Sequence, residues 1–253
     1  MSDSIRVEVM LADIPATSTG PLMSDIIAEA RSFLDELDAG RLEDAPTGKF
    51  GLLKCCQEAY VEYSKRTRCF RDSFDLTTEA DKALYTFANL DVNGRLFEID
   101  YAAYADEELS IRTVPFMDSK HRGWRKSSSG TPTILIPWGE AGLRLWYPPD
   151  DEQTLDVDGF VTADLATFAD PTHKADVPTS RQTLLAAGTA VIAAIRLLGV
   201  PEAQLQQQMC GSIWESGIKD AKREIDGFSV EDEVIGRSRR VARYVDQPTI
   251  TEA

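Results

Sequence analysis

The stretch SSSGTPTILIPWGEAGLRLWYPPDDEQTLDVDGF, residues 127–160, places two apolar runs on either side of WGEAG. Such runs around a short Gly-containing segment predict a β-hairpin, with PTILIPW pairing to GLRLWYPP across GEAG. The sequence TLDVDGFVTADL then alternates between two sets of positions. One set is Leu155, Val157, Gly159 and Val161, and the other is Asp156, Asp158, Phe160 and Thr162. This alternation predicts a strand with one face in water.

Further strands are predicted upstream of this stretch, from about residue 76. The sequence ALYTFANLDVNGRLFEIDYAAY contains Asn93–Gly94, the dipeptide favoured in two-residue hairpin turns, followed by Leu96, Phe97 and Ile99. We therefore expect about five to seven strands, in a small antiparallel sheet or sandwich.

Two amphipathic helices are predicted before the strands. The first begins near Ser24 as N-cap and ends at Gly40. Its apolar face is formed by Ile26, Ile27, Ala30, Phe33, Leu34 and Leu37. The second helix carries one stripe formed by Phe50, Leu53, Cys56, Tyr60, Val61 and Ser64. Because a short polar loop joins them, the two helices are expected to form an antiparallel pair.

Two more helices are predicted after the strands. The sequence VPTSRQTLLAAGTAVIAAIRLLGVP has an N-cap candidate at Thr179 and is apolar on nearly all sides, which is typical of the central helix of a bundle. Gly199 is expected to end it and Pro201 to begin the next helix. The predicted apolar face of that last helix is Leu205, Met209, Ile213, Ala221 and Ile225, and Gly227 is its stop.

The predicted fold class is α+β: a four-helix bundle with an antiparallel β-domain inserted between helices 2 and 3, plus an extended C-terminal arm. The expected divisions are an N-terminal arm, helices 1 and 2, the β-domain, helices 3 and 4, and a docking arm. Their boundaries are 1–20, 21–75, 76–174, 175–228 and 229–253.

Charge and composition restrict the function. The chain of 253 residues has 42 acidic and 27 basic side chains, a formal net charge of −15, which argues against general binding of nucleic acid or acidic membranes. Solubility explains this charge, and so does a need for DNA to pass without sticking. The most apolar run, LLAAGTAVIAAIRLLG, is shorter than the roughly 20 residues of a membrane span, and the N-terminus lacks a signal-peptide pattern, so we expect a soluble protein.

The sequence predicts no metal site, no cofactor and no enzymatic activity. His121 and His173 lie in polar surroundings without ligand spacing, and Cys55 and Cys56 are interpreted as packing residues. An EF-hand around Gly159 fails because its first and last ligand positions are Thr154 and Leu165. A paired-carboxylate glycosidase stays open on sequence grounds, as does a sugar site lined by tryptophans, although tryptophan more often serves packing.

A basic cluster near the C-terminus is the sharpest candidate site. GRSRRVAR carries Arg237, Arg239, Arg240 and Arg243, followed by Tyr244, in a chain that is otherwise acidic. The segment is either a solvated tail or a docking arm for an acidic partner, because guanidinium groups pair with carboxylates in a bidentate manner.

Several segments taken in order carry a family resemblance. They are SDIIAEARSFLDEL, FGLLKCCQEAYVEYSKRTRCF, NGRLFEIDYAAYADEE, the stretch from Trp124 to SGTP, GLRLWYPPDDEQTLDVDGF and DVPTSRQTLLAAGTAVIAAIRLLG. Over about residues 22–227 the chain resembles the head-to-tail adaptor (connector) proteins of tailed bacteriophages, the neck ring below the portal, similar to the tail tubular A class.

The resemblance implies a structural virion protein located in the neck, and in the host cytoplasm during assembly. It implies a ring of about twelve copies with head-to-tail contacts, bound to the portal protein above and to tail or nozzle proteins below. DNA would pass through the channel without specific binding, and the C-terminal arm with Arg237, Arg239, Arg240, Arg243 and Tyr244 would dock on the portal. The alternatives are another neck or tail component, such as a terminator or tail-tube protein, and a carbohydrate-binding β-module.

Overall fold

Six α-helices and two four-stranded β-sheets form the part of the chain that the computed structural model describes, which is residues 20–34, 42–43, 51–139, 142–197, 204 and 207–227. The fold is therefore mixed α+β, as the sequence predicts. The first five helices are α1 Met23–Phe33, α2 Leu52–Thr67, α3 Phe87–Leu90, α4 Val114–Lys120 and α5 Gln182–Leu197. The sixth, α6, is helical at 204 and over 207–227. Short 3₁₀ helices lie at Trp124–Lys126 and Thr179–Arg181.

The two sheets are built from strands that lie between α2 and α5 in the chain. The first sheet has the order β1 Arg71–Thr77, β8 Thr154–Val161, β3 Leu96–Tyr104 and β4 Glu107–Glu108. The second has the order β2 Leu84–Thr86, β7 Gly142–Trp146, β6 Ile134–Pro137 and β5 Ser110–Ile111. Buried side chains from both sheets form one hydrophobic cluster, so the sheets pack face to face.

The stretch of residues 127–160 folds as its pattern predicts. β6 and β7 pair antiparallel from Ile134–Trp146 to Pro137–Leu143. In β8, Leu155, Val157, Gly159 and Val161 are buried and the alternate residues are partly exposed. A Cβ at Gly159 would lie 2.5 Å from the carbonyl oxygen of Glu98 on β3. The small residue is therefore needed for close approach of the two backbones.

The hairpin predicted at Asn93–Gly94 is wrong. β2 pairs with β7 and β3 pairs with β8, so the two strands around this dipeptide do not pair with each other. The residues before it instead form α3, and the carboxylate of Asp91 accepts hydrogen bonds from the backbone N–H groups of Asn93, Arg95 and Leu96. Gly94 has a φ of 67° within this turn. The local hydrogen bonds of Asp91 therefore determine the turn.

The sheets differ in two further ways from the expected antiparallel domain. Eight strands are present in the described residues, against the expected five to seven. β5 and β6 pair in parallel, with Ser110 opposite Ile134 and Ile111 opposite Leu135. A parallel pair needs a crossover connection, and the chain between these strands supplies one that contains α4 and the 3₁₀ helix Trp124–Lys126.

The two long helices before the strands and the two after them share one hydrophobic cluster. Its members include Ile26 of α1, Tyr63 of α2, Ala190 of α5, and Trp214 of α6. The connection to the sheets is polar as well as apolar, because the hydroxyl of buried Ser64 accepts a 3.0 Å hydrogen bond from the backbone N–H of Ala163, two residues after β8. The helical cluster and the sheets are thus joined where β8 ends.

The helix boundaries differ slightly from the predicted ones. α1 begins at Met23 with Leu22 as its N-cap, two residues before the predicted cap at Ser24. Thr179 lies in a 3₁₀ turn that leads into α5. The predicted positions Phe50, Gly40 and Gly199, and residues 1–19 of the predicted N-terminal arm, lie outside the described residues.

The predicted buried face of the last helix is partly wrong, and its last residue, Ile225, is half-buried. Met209 is 60% exposed and Ile213 is 39% exposed, whereas Cys210, Trp214 and Ile218 are buried. Ala221 is buried as predicted, and Leu205 lies outside the described residues. The helix is rotated so that Trp214 faces α5, where Gly188 leaves room for the indole ring. The buried stripe through Cys210, Trp214 and Ile218 therefore lies one residue further along the helix than the predicted stripe through Met209 and Ile213.

Candidate interaction surface

The outer side of the second sheet is covered by the crossover between β5 and β6. Met117 of α4, Trp124 of the 3₁₀ helix and Ile136 of β6 form a separate buried cluster. Partly buried side chains pack against it, namely Val114, Ile134, Trp138 and Trp146. Leu135, Leu143 and Leu145 lie on the opposite, inner side of the sheet. Alternation along β6 and β7 therefore places Ile134, Ile136 and Trp146 on the outer side.

Two arginines and two tryptophans form the centre of this outer layer. The rings of Trp124 and Trp138 lie edge to face, with centroids 5.8 Å apart. The guanidinium group of Arg125 is 4.6 Å from the Trp124 centroid and 5.9 Å from that of Trp138. The corresponding distances for Arg144 are 5.4 Å and 5.6 Å. Each guanidinium therefore interacts with both indole rings, an arrangement that holds positive charge near the surface.

Asp118 holds the centre of the layer in place. One carboxylate oxygen accepts a 2.9 Å hydrogen bond from the indole N–H of Trp124, and the other accepts one of the same length from Arg125. Hydrogen bonds from Arg125 and then Trp124 hold the pKa of Asp118 below its usual range. Arg144 donates a 2.8 Å hydrogen bond to the backbone carbonyl of Arg125, and burial lowers the pKa of Arg144.

The layer is basic although the chain is strongly acidic. Residues 110–147 contain six basic and two acidic side chains, a net charge of +4 in a chain of −15. We call the basic residues with the two tryptophans the basic face: Arg112, Lys120, Arg122, Arg125, Lys126, Arg144, Trp124 and Trp138. Within the described residues, Arg112, Arg122 and Arg144 have no carboxylate partner. The basic face therefore has guanidinium groups available to an external anion.

Acidic side chains lie on the outer side of the first sheet. Asp75 of β1 is directly opposite Asp156 of β8, and Asp158 follows on the same side of β8. Burial, followed by the charges of Asp75, Asp106 and Asp158, raises the pKa of Asp156. We call Asp75, Asp106, Asp156 and Asp158 the acidic face. In the part of the chain that the structure covers, none of the four pairs with a basic side chain.

The basic and acidic faces are on opposite sides of the paired sheets. Leu155, Val157 and Val161 of the first sheet and Leu143 and Leu145 of the second sheet belong to the same buried cluster. The alternate residues of each sheet must therefore point outward, in opposite directions. The β-rich part of the protein consequently has a positive side and a negative side.

The cysteines and histidines considered as nucleophiles or ligands make packing and hydrogen-bond contacts in the fold. Burial raises the pKa of the Cys55 and Cys56 thiols to about 12, so neither forms a thiolate readily near neutral pH. The Nδ1 atom of His173 accepts hydrogen bonds from the backbone N–H groups of Ala169 and Asp170. The ring centroids of His121 and Trp146 are 4.5 Å apart. The interpretation of the two cysteines as packing residues agrees with this environment.

Among the described residues, no group of three or more His, Cys, Asp or Glu side chains could hold a metal ion. The same residues contain no helix that is both long and apolar enough to cross a bilayer.

A groove lies between α2 and α5 on the helical side. It is lined by Lys54, Gln57, Glu58, Val61, Glu62, Leu165 and Ile192. Arg196 pairs with Glu58 at 2.8 Å at this place. The described lining residues have both signs of charge and include no Ser, Cys or His side chain that could act as a nucleophile or proton shuttle.

The predicted docking residues Arg237, Arg239, Arg240, Arg243 and Tyr244 lie outside the described residues. Sequence reasoning missed the basic face, because the surroundings of His121 were interpreted only as polar and the tryptophans were assigned to packing or to a sugar site. The local charge of residues 110–147 was the signal that could have found it.

Comparison with protein-family models found no match, and comparison with curated proteins found no similar sequence.

Proposed function

We propose that this chain is a structural protein of a tailed-phage virion, which forms the head-to-tail adaptor ring between the portal and the tail. The observation that carries the proposal is the single hydrophobic cluster shared by α1, α2, α5 and α6, with all eight strands placed between α2 and α5. This supports a four-helix bundle with a β-domain inserted between its second and third long helices, the architecture that the family resemblance implies.

Exposed apolar side chains on the helices favour contacts between copies. Ile195 on α5 is 57% exposed, and Met209 on α6 is 60% exposed. Large exposed apolar residues are common singly, but adjacent helices of a ring would cover them by packing side by side. The charged faces on the β-sheets add a second type of surface that is suited to binding protein.

Acidic walls are part of the proposed role. A net charge of −15 in each copy would be multiplied in a ring, and the resulting field would repel DNA phosphates. DNA would then slide through the channel without specific binding. A lumen lined mostly by neutral or basic residues would contradict this explanation of the charge.

The experiment that tests the proposal is reconstitution with the portal. The full chain is mixed with the portal ring of the same phage, and the product is imaged by negative-stain electron microscopy. The expected result is an added ring coaxial with the portal. The portal with no added density, from a folded chain at micromolar concentration, would overturn the proposal.

The proposed docking arm is tested in the same assay. Deleting residues 229–253 should leave a folded subunit that no longer binds the portal, and reversing Arg239 and Arg240 together to Glu should weaken binding in a salt-sensitive way. Full binding by the truncated chain would contradict the role of the arm while leaving the ring proposal intact.

The alternative functions are less well supported. A terminator or tail-tube protein should be mainly β and lack a buried helix, whereas α5 is buried along most of its length. A carbohydrate-binding module should offer free aromatic rings, whereas Trp124 and Trp138 are both in contact with arginine guanidinium groups.

A further inference from the structure

Arginines outside the β5–β6 crossover mostly have partners within the chain. Arg66 pairs with Glu215, Arg68 with Glu98 and Arg71 with Asp100. Arg95 pairs with Asp72 and Asp164, and Arg181 with Glu224. By contrast, the guanidinium groups of Arg112, Arg122 and Arg144 have no carboxylate partner within the described residues. All three belong to the basic face.

The acidic face has the complementary property. Asp75 and Asp156 are cross-strand neighbours of like charge, a pairing that destabilises a sheet unless a cation lies nearby. Asp106 and Asp158 add to the same repulsion around Asp156. The described chain supplies no basic side chain to these four carboxylates.

The geometry points to a contact between copies: we propose that the basic face of one copy binds the acidic face of the next copy. This inference rests on the proposed ring and names the surfaces that would join its subunits. Because the two faces lie on opposite sides of the paired sheets, each copy would keep one free face after binding. Such a heterologous contact propagates from copy to copy and closes into a ring if the rotation between copies allows it.

The charge pattern favours a second copy over nucleic acid as the occupant. Guanidinium groups pair with carboxylates in a bidentate manner, and the acidic face provides four carboxylates. Double-stranded DNA would meet an isolated +4 region on a molecule with an overall charge of −15, which opposes its approach.

Two double variants of the full chain test the contact. Arg112→Gln with Arg122→Gln removes two charges from the basic face, and Asp75→Asn with Asp158→Asn removes two charges from the acidic face. These four residues are fully or partly exposed, and Arg125 and Arg144 are left unchanged because they pack on the tryptophans. Circular dichroism verifies folding, and sedimentation velocity at low salt measures self-association over a range of concentrations.

Wild-type protein is expected to self-associate at low salt and to dissociate as salt screens the charges. Each double variant should bind itself at least about tenfold more weakly. An equimolar mixture of the two variants should form a 1:1 dimer and nothing larger, because each partner retains one matching face. A dimer that grows no further distinguishes a contact between two different faces from a symmetric contact between two copies of the same face.

A matched control carries the same change of charge elsewhere. Lys65→Gln with Lys219→Gln alters two exposed lysines on α2 and α6 and should leave self-association unchanged. Equal loss in this control would mean that net charge, not the basic face, governs association, and it would overturn the inference.

Three other outcomes would overturn the inference. They are a wild-type chain that stays monomeric at low salt, a variant mixture that stays monomeric while wild type associates, and binding of double-stranded DNA that depends on Arg112 and Arg122 while self-association does not. None of these bears on the portal reconstitution. A basic-face variant that forms normal rings on the portal would leave the adaptor proposal standing and remove only this contact.

Discussion

Gly188 on α5 lies against the indole ring of Trp214 on α6, so that a Cβ added at Gly188 would be 2.5 Å from Cζ3 of the ring. Both residues belong to the region where the helix after the strands meets its successor. On the opposite side of this contact, a Cβ at Gly217 of α6 would lie 2.5 Å from Cδ1 of Leu184 on α5. Each helix therefore places a glycine beneath a large side chain of the other, which brings the two backbones close together.

Gly188→Ala is expected to be less stable than Gly211→Ala by about 1 to 3 kcal/mol, the cost of overpacking against Trp214. The better helix propensity of alanine is common to both variants and cancels in this comparison. Urea unfolding followed by circular dichroism measures the change. The control is Gly211→Ala on α6, where no atom lies within 4 Å of the added Cβ, and this variant should be as stable as wild type or slightly more stable. Equal stability of the two variants would contradict the tight contact.

Ser64→Ala is expected to cost about 1 to 3 kcal/mol, because it leaves the backbone N–H of Ala163 without its acceptor in a buried place. Chemical denaturation gives the magnitude. The comparison is Ser216→Ala, which removes an exposed hydroxyl that donates to the carbonyl of Ser212 on α6, and it should change stability by less than about 0.5 kcal/mol. Similar effects from the two substitutions would show that the Ser64 hydrogen bond does not join helix to sheet.

The ion pair between Arg66 and Glu215 predicts a pH dependence. A hydrogen bond from Arg66 is the main cause that lowers the pKa of Glu215. A carboxyl group whose pKa is lower in the folded state stabilises the fold above its unfolded pKa, and this contribution is lost as pH falls through the folded pKa. Wild type should therefore be more stable than Glu215→Gln at pH 7, and the two should converge in acid. Urea titrations at pH 7, 4 and 2.5 would detect the convergence, and a gap that persists at the lowest pH would contradict it.

Asp156 predicts the opposite sign. Burial and the neighbouring carboxylates raise its pKa, so its ionised form destabilises the fold above the folded pKa, and this penalty disappears as pH falls below the unfolded pKa. Asp156→Asn should therefore stabilise the isolated subunit at pH 7 by roughly 0.2 to 1 kcal/mol, the usual size of a cross-strand like-charge pair. Thermal melts of the monomer at pH 7 and pH 3 compare the variants. A destabilised variant at pH 7 would mean that Asp156 has a favourable partner.

The predictable parts of the fold were those in which local pattern and burial coincide. The alternation around Val157 and the pairing of β6 with β7 follow from strand periodicity, and both are present. The long apolar helix after the strands is also buried over most of its length, because it packs against α1, α2 and α6. The mixed α+β class follows from these elements alone.

The remaining features depended on contacts between distant residues. α6 has two apolar stripes, and the buried one runs through Cys210, Trp214 and Ile218, with Trp214 fitting over Gly188 of α5. The sequence of α6 alone does not decide between this stripe and the one through Met209 and Ile213. The Asn93–Gly94 dipeptide favours a hairpin turn in isolation. In the fold, the carboxylate of Asp91 accepts hydrogen bonds from the backbone N–H groups of Arg95 and Leu96, and the strand that follows pairs with β8. The excess of basic residues over 110–147 is visible in the sequence, but the contacts of Arg125 and Arg144 with Trp124 and Trp138 form only in the folded chain.

β1 and β8 are paired along their whole length, from Arg71 opposite Phe160 to Thr77 opposite Thr154. Since β1 follows α2 and β8 leads back toward α5, the polypeptide leaves and rejoins the helices at neighbouring points. Residues 71–161 therefore form a unit whose two ends lie side by side. Another segment that starts and ends on two adjacent antiparallel strands would connect to the same helices. Evolution can thus replace the surfaces through which this protein makes contacts while the helical core is inherited unchanged.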